Sequence, residues 1–146
     1  MNPTIEISIL ALVVSLVSAI AAWARLNTAR HQVKTQNLLQ ISNYLHQPEI
    51  REARQRLRTT APAEIDFDCV SLVCSSFDFA ALFVKNDLVP EDLFLQYWRP
   101  LLLFLRGHLA EVMKQPAFGN ISMAEYYRHF SWLLDRAAQS HGIGSR

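Results

Sequence analysis

Residues 7–24 read ISILALVVSLVSAIAAWA and carry no charged side chain. As a helix these 18 residues span about 27 Å, close to the ~30 Å thickness of the hydrocarbon core of a bilayer. A cleaved secretory signal normally has basic residues before its apolar core, whereas the segment here is MNPTIE, with an acid at Glu6. The stretch therefore predicts a transmembrane helix over residues 7–24 rather than a cleaved signal, with residues 1–6 as a short extracytoplasmic N-terminus.

Basic side chains lie on one side of this stretch only. Arg25, Arg30 and Lys34 follow it closely, and no Lys or Arg precedes it. Loops on the cytoplasmic side of a membrane are enriched in Lys and Arg. We therefore expect a single-pass protein of the bacterial inner membrane, with its N-terminus outside and the rest of the chain in the cytoplasm.

Small residues recur at three- and four-residue steps within the span and form a stripe of Ser8, Ala11, Ser15, Ser18 and Ala22. Such stripes allow helices to approach closely in lipid. The stripe favours either self-association or docking of a partner helix, although Ser and Ala are also ordinary constituents of a lone anchor.

The composition of the remaining chain predicts an all-α fold with little or no sheet. Only four glycines and six prolines interrupt 146 residues, and Leu, Ala, Arg, Glu and Gln fill the segments between them, as in helices. A break at Gln47-Pro48 is expected because proline suits the first turn of a helix. We predict a basic juxtamembrane helical stalk over residues 25–58 and a bundle domain of about four to five helices over residues 59–146.

Local signals divide the bundle into elements. TTAPAEID, residues 59–66, is a predicted loop, and Asp66 or Asp68 caps a core helix that ends near Asn86-Asp87. Asp78 within this helix argues against a second membrane span. A further helix begins near Val89-Pro90-Glu91-Asp92, where proline and acids suit the first turn.

The C-terminal signals are a loop and a capping box. Residues 115–121 predict a loop, and Ser122 with Glu125 forms a capping box that starts a last helix extending to about Gln139. The inward face of that helix is predicted to contain Tyr126, Phe130, Leu133 and Leu134.

Charge is divided unevenly along the chain. Residues 25–58 contain seven basic and two acidic residues, whereas residues 59–146 contain seven basic and ten acidic residues. A basic segment next to the cytoplasmic leaflet is attracted to anionic headgroups. The lipid bilayer is therefore the first expected partner.

The densest basic cluster consists of four arginines: Arg51, Arg54, Arg56 and Arg58. Such a cluster can contact phosphate or RNA, but Glu49 and Glu52 stand at helical spacings that allow ion pairs. No nucleic-acid motif or stacking set of aromatic residues accompanies the arginines. The cluster is therefore interpreted as a solvated or lipid-facing helix face, and no nucleic-acid partner is expected.

The sequence offers no catalytic, cofactor or metal residues. Two pairs, His108 with Glu111 and Glu125 with His129, have helical spacing but lack the further carboxylates of a di-iron bundle. No GxSxG, HExxH, GxGxxG or P-loop motif occurs. Cys69 and Cys74 have neither CxxC nor zinc spacing and are predicted to be reduced, packed thiols. We predict that the chain is not an enzyme.

Four aromatic residues either line a pocket or fill a core, and the sequence allows both interpretations: Tyr97, Trp98, Tyr127 and Trp132. The leading hypothesis is a membrane-anchored helical protein-interaction module, an accessory subunit or adaptor of a membrane complex. The alternative is a sensor or effector that binds a ligand or lipid in an aromatic-lined pocket, and a third is an enzyme with an unfamiliar site. A cavity beside Tyr97, Trp98 and Trp132 favours ligand binding, whereas an exposed apolar strip favours a partner.

Several segments together carry a resemblance to a family: HQPEIREAR (46–54), FDFAALFVKNDLVPEDLF (77–94), QYWRPLL (96–102) and YYRHFSWLL (126–134). In this order, after one N-terminal span, they resemble an uncharacterised bacterial family of small single-span membrane proteins. The resemblance implies a membrane anchor and a cytoplasmic helical domain of unknown function. It implies no catalytic residues.

Overall fold

The computed structural model describes residues 3–140. Within this range the chain is all-helical apart from two short strands. The predicted all-α class, with five helices after the first, is confirmed. The elements are α1 (Pro3–Leu45), α2 (Pro48–Thr59), α3 (Phe67–Lys85), α4 (Glu91–His108), β1 (Pro116–Phe118), β2 (Ile121–Ser122), α5 (Met123–Tyr126) and α6 (Arg128–Gln139).

The first helix, α1, continues without a break through the apolar stretch and the following basic segment to Leu45. Between Ala11 and Val33 all its residues are exposed. Among the described residues two helices are long and apolar enough to cross a membrane, α1 from Ala11 and α3. None of the apolar window of α1 is buried in the fold, whereas half of that of α3 is buried.

The C-terminal part of α1 is joined to the turn between α3 and α4. Lys34 Nζ lies 2.6 Å from a carboxylate oxygen of Asp87, and the side-chain amide of Asn37 donates to the carbonyl of Leu88 at 2.9 Å. Ile41 and Leu45 are buried in the main core. The last three turns of α1 are therefore part of the bundle.

The second helix also belongs to the bundle rather than to a separate stalk. It begins at Pro48, as predicted, and its apolar face packs on α3, with Ile50, Ala53 and Leu57 buried. The predicted division at residue 59 therefore does not coincide with the packing, because the core extends back to Ile41. Pro48 starts α2 as a separate helix, and α2 packs on α3.

The third helix lies at the centre of the fold, packed on α2, α4 and α6. Asp66 caps its start by accepting from the backbone N–H of Asp68 at 3.1 Å. Phe77 is fully buried, and its ring meets the rings of Trp98 on α4 and Phe130 on α6 at centroid distances of 5.4 and 6.0 Å. The prediction of a core helix here is confirmed.

The single C-terminal helix predicted from Ser122 to Gln139 was wrong. The capping box of Ser122 and Glu125 is present, but α5 ends at Tyr126 and a second helix, α6, begins at Arg128. The new start is capped across the fold, because Asp78 Oδ1 accepts from the backbone N–H groups of His129 and Phe130 at 2.8 and 2.9 Å.

The break at Tyr127 also changes the burial that was predicted for Tyr126. Tyr126 was expected to face the core but is exposed, whereas Tyr127 is buried. The hydroxyl of Tyr127 lies 2.9 Å from Ser71 Oγ on α3. Phe130, Leu133 and Leu134 are buried as predicted.

We expect Asp78→Ala to lower the free energy of unfolding by about 2 kcal/mol, because it removes a charged acceptor from two N–H groups at a helix start. Urea unfolding of the full chain in detergent, followed by circular dichroism, measures the loss. Asp78→Asn keeps one acceptor oxygen, and we expect it to cost about half as much. Equal stability of wild type and Asp78→Ala would show that the cap contributes nothing.

The predicted loop over residues 115–121 is in part a small hairpin. Strands β1 and β2 pair antiparallel, with Phe118 opposite Ile121. Gly119, in the turn, has a φ of 58°, a conformation that glycine adopts without strain. The hairpin places Phe118 at an exposed tip.

Candidate anion-binding cleft

An open cleft of about 560 Å³ lies between α2 and α4, next to the end of α1. Its volume falls within the range of roughly 300–1,000 Å³ found for small-molecule sites. We call it the Arg-Trp cleft. It is lined by His46, Arg51, Arg54, Gln55, Arg58, Thr59, Tyr97, Trp98, Pro100 and Leu101.

Three of the four clustered arginines line the cleft together. Arg51, Arg54 and Arg58 are spaced three, four and seven residues apart, so they share one face of α2. Among the described residues no carboxylate lies within ion-pair distance of any of the three. Their positive charge is therefore concentrated and is not paired with a carboxylate in the described part of the chain.

The fourth arginine, Arg56, lies outside the cleft and has a partner. Its guanidinium donates to Glu52 at 2.7 Å, and this bond raises the pKa of Arg56. The predicted pairing with glutamate thus occurs, but only at Arg56. The interpretation of the cluster as a solvated or lipid-facing helix face was wrong for Arg54, which is buried, whereas Arg51, Arg56 and Arg58 are exposed.

Arg54 is the buried arginine, with only 8% of its surface exposed. Its guanidinium carbon lies 4.9 Å from the centroid of the Trp98 ring, close enough for a cation–π interaction. Burial lowers the pKa of Arg54 below its ordinary value, and the nearby charges of Arg58 and Arg51 lower it further. The site therefore holds a cation that has no ion-pair partner between residues 3 and 140.

An aromatic wall faces the arginines. The rings of Tyr97 and His46 lie 5.1 and 5.2 Å from that of Trp98. His46 Nδ1 lies 2.7 Å from the carbonyl oxygen of Ser42, which can only accept, so Nδ1 carries the proton. In the neutral ring, Nε2 is then the acceptor for the Tyr97 hydroxyl at 3.3 Å.

The indole N–H of Trp98 is buried and has no partner among the described residues. The residue as a whole is 4% exposed. An unpaired buried N–H costs free energy unless a ligand or water accepts from it. The lining as a whole is rich in donors, since it contains arginine and tryptophan but no Asp or Glu.

The aromatic residues singled out from the sequence separate into two groups. Tyr97 and Trp98 line the cleft, in the position that the hypothesis of an aromatic-lined pocket predicts for them. Trp132 instead lies beneath the ammonium of Lys85, at 6.0 Å, and Tyr127 bonds to Ser71. The charged lining residues of the cleft are arginines of α2, which the pattern of aromatic residues in the sequence did not indicate.

The carboxylates of the two His–Glu pairs considered for a metal have local partners. The carboxylate of Glu125 accepts from Ser122 in the capping box, and Glu111 pairs with Lys114 at 2.7 Å. His108 stacks on Phe104 at 4.9 Å. No group of three or more His, Cys, Asp or Glu side chains converges within the described part of the chain.

The two cysteines are free and buried, which confirms the prediction of packed thiols. Burial raises the pKa of the Cys74 thiol to about 12, with a smaller contribution from the carboxylate of Asp78. Because the thiolate is the reactive form, Cys74 is poorly suited to nucleophilic or redox chemistry.

A protein-family model described as a domain of unknown function, DUF4760, matches residues 9–137. The chain belongs to this family. Comparison with curated proteins and with solved structures gave no match. The matched range of DUF4760 includes the whole Arg-Trp cleft, from His46 to Leu101.

Proposed function

We propose that this DUF4760 chain is a membrane-anchored helical domain that binds a small ligand in the Arg-Trp cleft. The observation that carries the proposal is Arg54, a buried arginine that lies on Trp98 with no anionic partner among the described residues. A buried charge is costly unless it is paired. A ligand that enters the cleft supplies the missing partner.

The anchor in this proposal is α1, inserted in the bacterial inner membrane with its N-terminus outside. Two features support this anchor. Residues 7–24 carry no charge, and the residues from Ala11 to Val33 are all exposed. Arg25 and Arg30 follow the span on the side that the positive-inside rule assigns to the cytoplasm. The bundle then stands on the cytoplasmic side, and the ligand acts as a signal read at the membrane.

The proposal predicts that native ligand stabilises the wild type but not a variant with a filled cleft. Gln55 is exposed on the cleft wall, so Gln55→Trp adds bulk there without disturbing the core. A ligand present at about a hundred times its Kd raises the unfolding midpoint by roughly 10 °C. The midpoint is measured by protease resistance after heating, for tagged full-length chains in native membranes and after purification.

We expect the wild type and the control Gln55→Ala to lose this stabilisation on purification. After purification, Gln55→Trp should unfold at the same midpoint as the wild type and Gln55→Ala. In native membranes its midpoint should not rise above that value. If Gln55→Trp retains the full native stabilisation, the cleft is not the ligand site.

A second candidate, the predicted interaction module, is favoured by the outer face of α3. Four large apolar side chains there are exposed: Phe67, Leu72, Phe79 and Leu82. Exposed apolar groupings are characteristic of interaction surfaces. In the experiment above, native stabilisation that survives Gln55→Trp points to a partner on this or another face instead of a ligand in the cleft.

A further inference from the structure

We infer that the ligand of the Arg-Trp cleft is a soluble phosphorylated compound with at least two negative charges. This inference rests on the proposed ligand-binding function and on the proposed anchor. It specifies both the chemistry of the ligand and the side from which it enters.

The charge of the ligand follows from the donors that face it. Three guanidinium groups line the cleft without a carboxylate among the lining residues. Arginine carries five N–H donors and no acceptor. A cleft with this inventory is complementary to a ligand rich in acceptors and negative charge, and a single negative charge leaves the three arginines under-neutralised.

Phosphate groups match the arrangement of the arginines along α2. The guanidinium fork binds phosphate through two parallel N–H bonds. Arg51 and Arg58 stand two helical turns apart, about 10 Å along the axis, so the donors follow an extended anion such as a diphosphate. The volume of about 560 Å³ also leaves room beyond the anion for an organic group, with the exposed ring of Tyr97 at the rim.

The length of α1 separates the cleft from the bilayer. Leu45, next to the cleft residue His46, follows the end of the span at Ala24 by 21 residues of unbroken helix, or about 30 Å. A tilt of about 40°, at the upper end of the usual range, leaves about 23 Å above the hydrocarbon core, or roughly 16 Å above the headgroup layer. Electrostatic attraction in physiological salt decays over about 8 Å. Arg51, Arg54 and Arg58 therefore lie beyond the reach of headgroups in the bilayer, and the ligand comes from solution.

Inorganic pyrophosphate is the probe for this inference, and Arg56 provides the matched control. The full chain is placed in nanodiscs of phosphatidylcholine, and pyrophosphate binding is measured by calorimetry and by the unfolding midpoint. We expect binding to the wild type and to Arg56→Gln, weakened by added salt. Arg51→Gln and Arg58→Gln should each weaken it roughly tenfold to a hundredfold. Both arginines are exposed, so these variants should fold normally.

A second set of nanodiscs tests whether the phosphate comes from a lipid headgroup or from solution. These nanodiscs contain phosphatidic acid, and no pyrophosphate is added. We expect no change in the midpoint there. A rise that Arg51→Gln abolishes would place the ligand in the bilayer and overturn the inference of a soluble compound. No pyrophosphate binding by wild type, or equal binding by wild type and the Arg51→Gln/Arg58→Gln double variant, would overturn the phosphorylated class. If Gln55→Trp abolishes the stabilisation in native membranes but the arginine variants do not, the cleft still binds a ligand, and that ligand is not a phosphorylated compound.

Discussion

Phe77→Ala is expected to lower the free energy of unfolding by about 3–5 kcal/mol, the range for removing a buried phenylalanine. Phe77 is fully buried and contacts rings from two other helices, Trp98 on α4 and Phe130 on α6. Its removal leaves a cavity where α3, α4 and α6 meet. Because Trp98 forms the aromatic wall of the Arg-Trp cleft, the same change should loosen the cleft.

The control for this prediction is Phe79→Ala on the same helix. Phe79 is 45% exposed, and its ring meets those of Tyr44 and Phe83. We expect it to cost roughly 1 kcal/mol. Urea unfolding of both variants in detergent measures the difference, and similar losses would mean that the three helices do not depend on Phe77 for their packing.

The helix boundaries that the sequence predicted correctly depend on residues close to them in the chain. Pro48 starts α2, Asp66 caps α3, and Ser122 with Glu125 forms a capping box. Each signal acts within one helical turn, so the sequence contains all the partners. The same reasoning identified α3 as a core helix, since its apolar period is visible in its own residues.

The features that were missed depend on contacts between distant residues. The break at Tyr127 is fixed by Asp78, whose partner His129 lies 51 residues away. No turn signal such as glycine or proline marks the break in YYRHF, residues 126–130. Likewise, α2 follows α1 in sequence with a basic composition, and only its packing on α3 reveals that it belongs to the bundle.

The sequence indicated the two halves of the candidate site separately and did not show that they lie together. The aromatic pair Tyr97-Trp98 and the arginines of α2 were considered separately, because the pairing of α2 with α4 cannot be derived from either segment. One local signal was nevertheless present. Arg51, Arg54 and Arg58 share a helical face from which Arg56, the arginine paired with Glu52, is absent. A periodic cationic face without acids is distinct from a solvated face of mixed charge.

Arg54→Met should separate stability from binding, because the two effects have opposite signs. Methionine approximates the aliphatic stem of the arginine side chain and removes a buried charge that has no anionic partner among the described residues. Replacement of buried charges by apolar side chains is often stabilising, and the lost cation–π interaction with Trp98 offsets about 0.5–1 kcal/mol of the gain. We expect the free energy of unfolding of the ligand-free chain to rise by about 1 kcal/mol, while pyrophosphate binding weakens by at least about a hundredfold.

Arg56→Met is the matched comparison, since it removes the same side chain from the exposed face of the same helix. It breaks a surface ion pair worth up to about 1 kcal/mol, so the ligand-free chain should lose a little stability while binding stays unchanged. Calorimetry and urea unfolding of both variants give four quantities with predicted signs. If Arg54→Met destabilises the ligand-free chain as a core defect does and binding persists, Arg54 is a packing residue. A gain in stability with loss of binding means that the fold maintains an unfavourable charge because a ligand needs it.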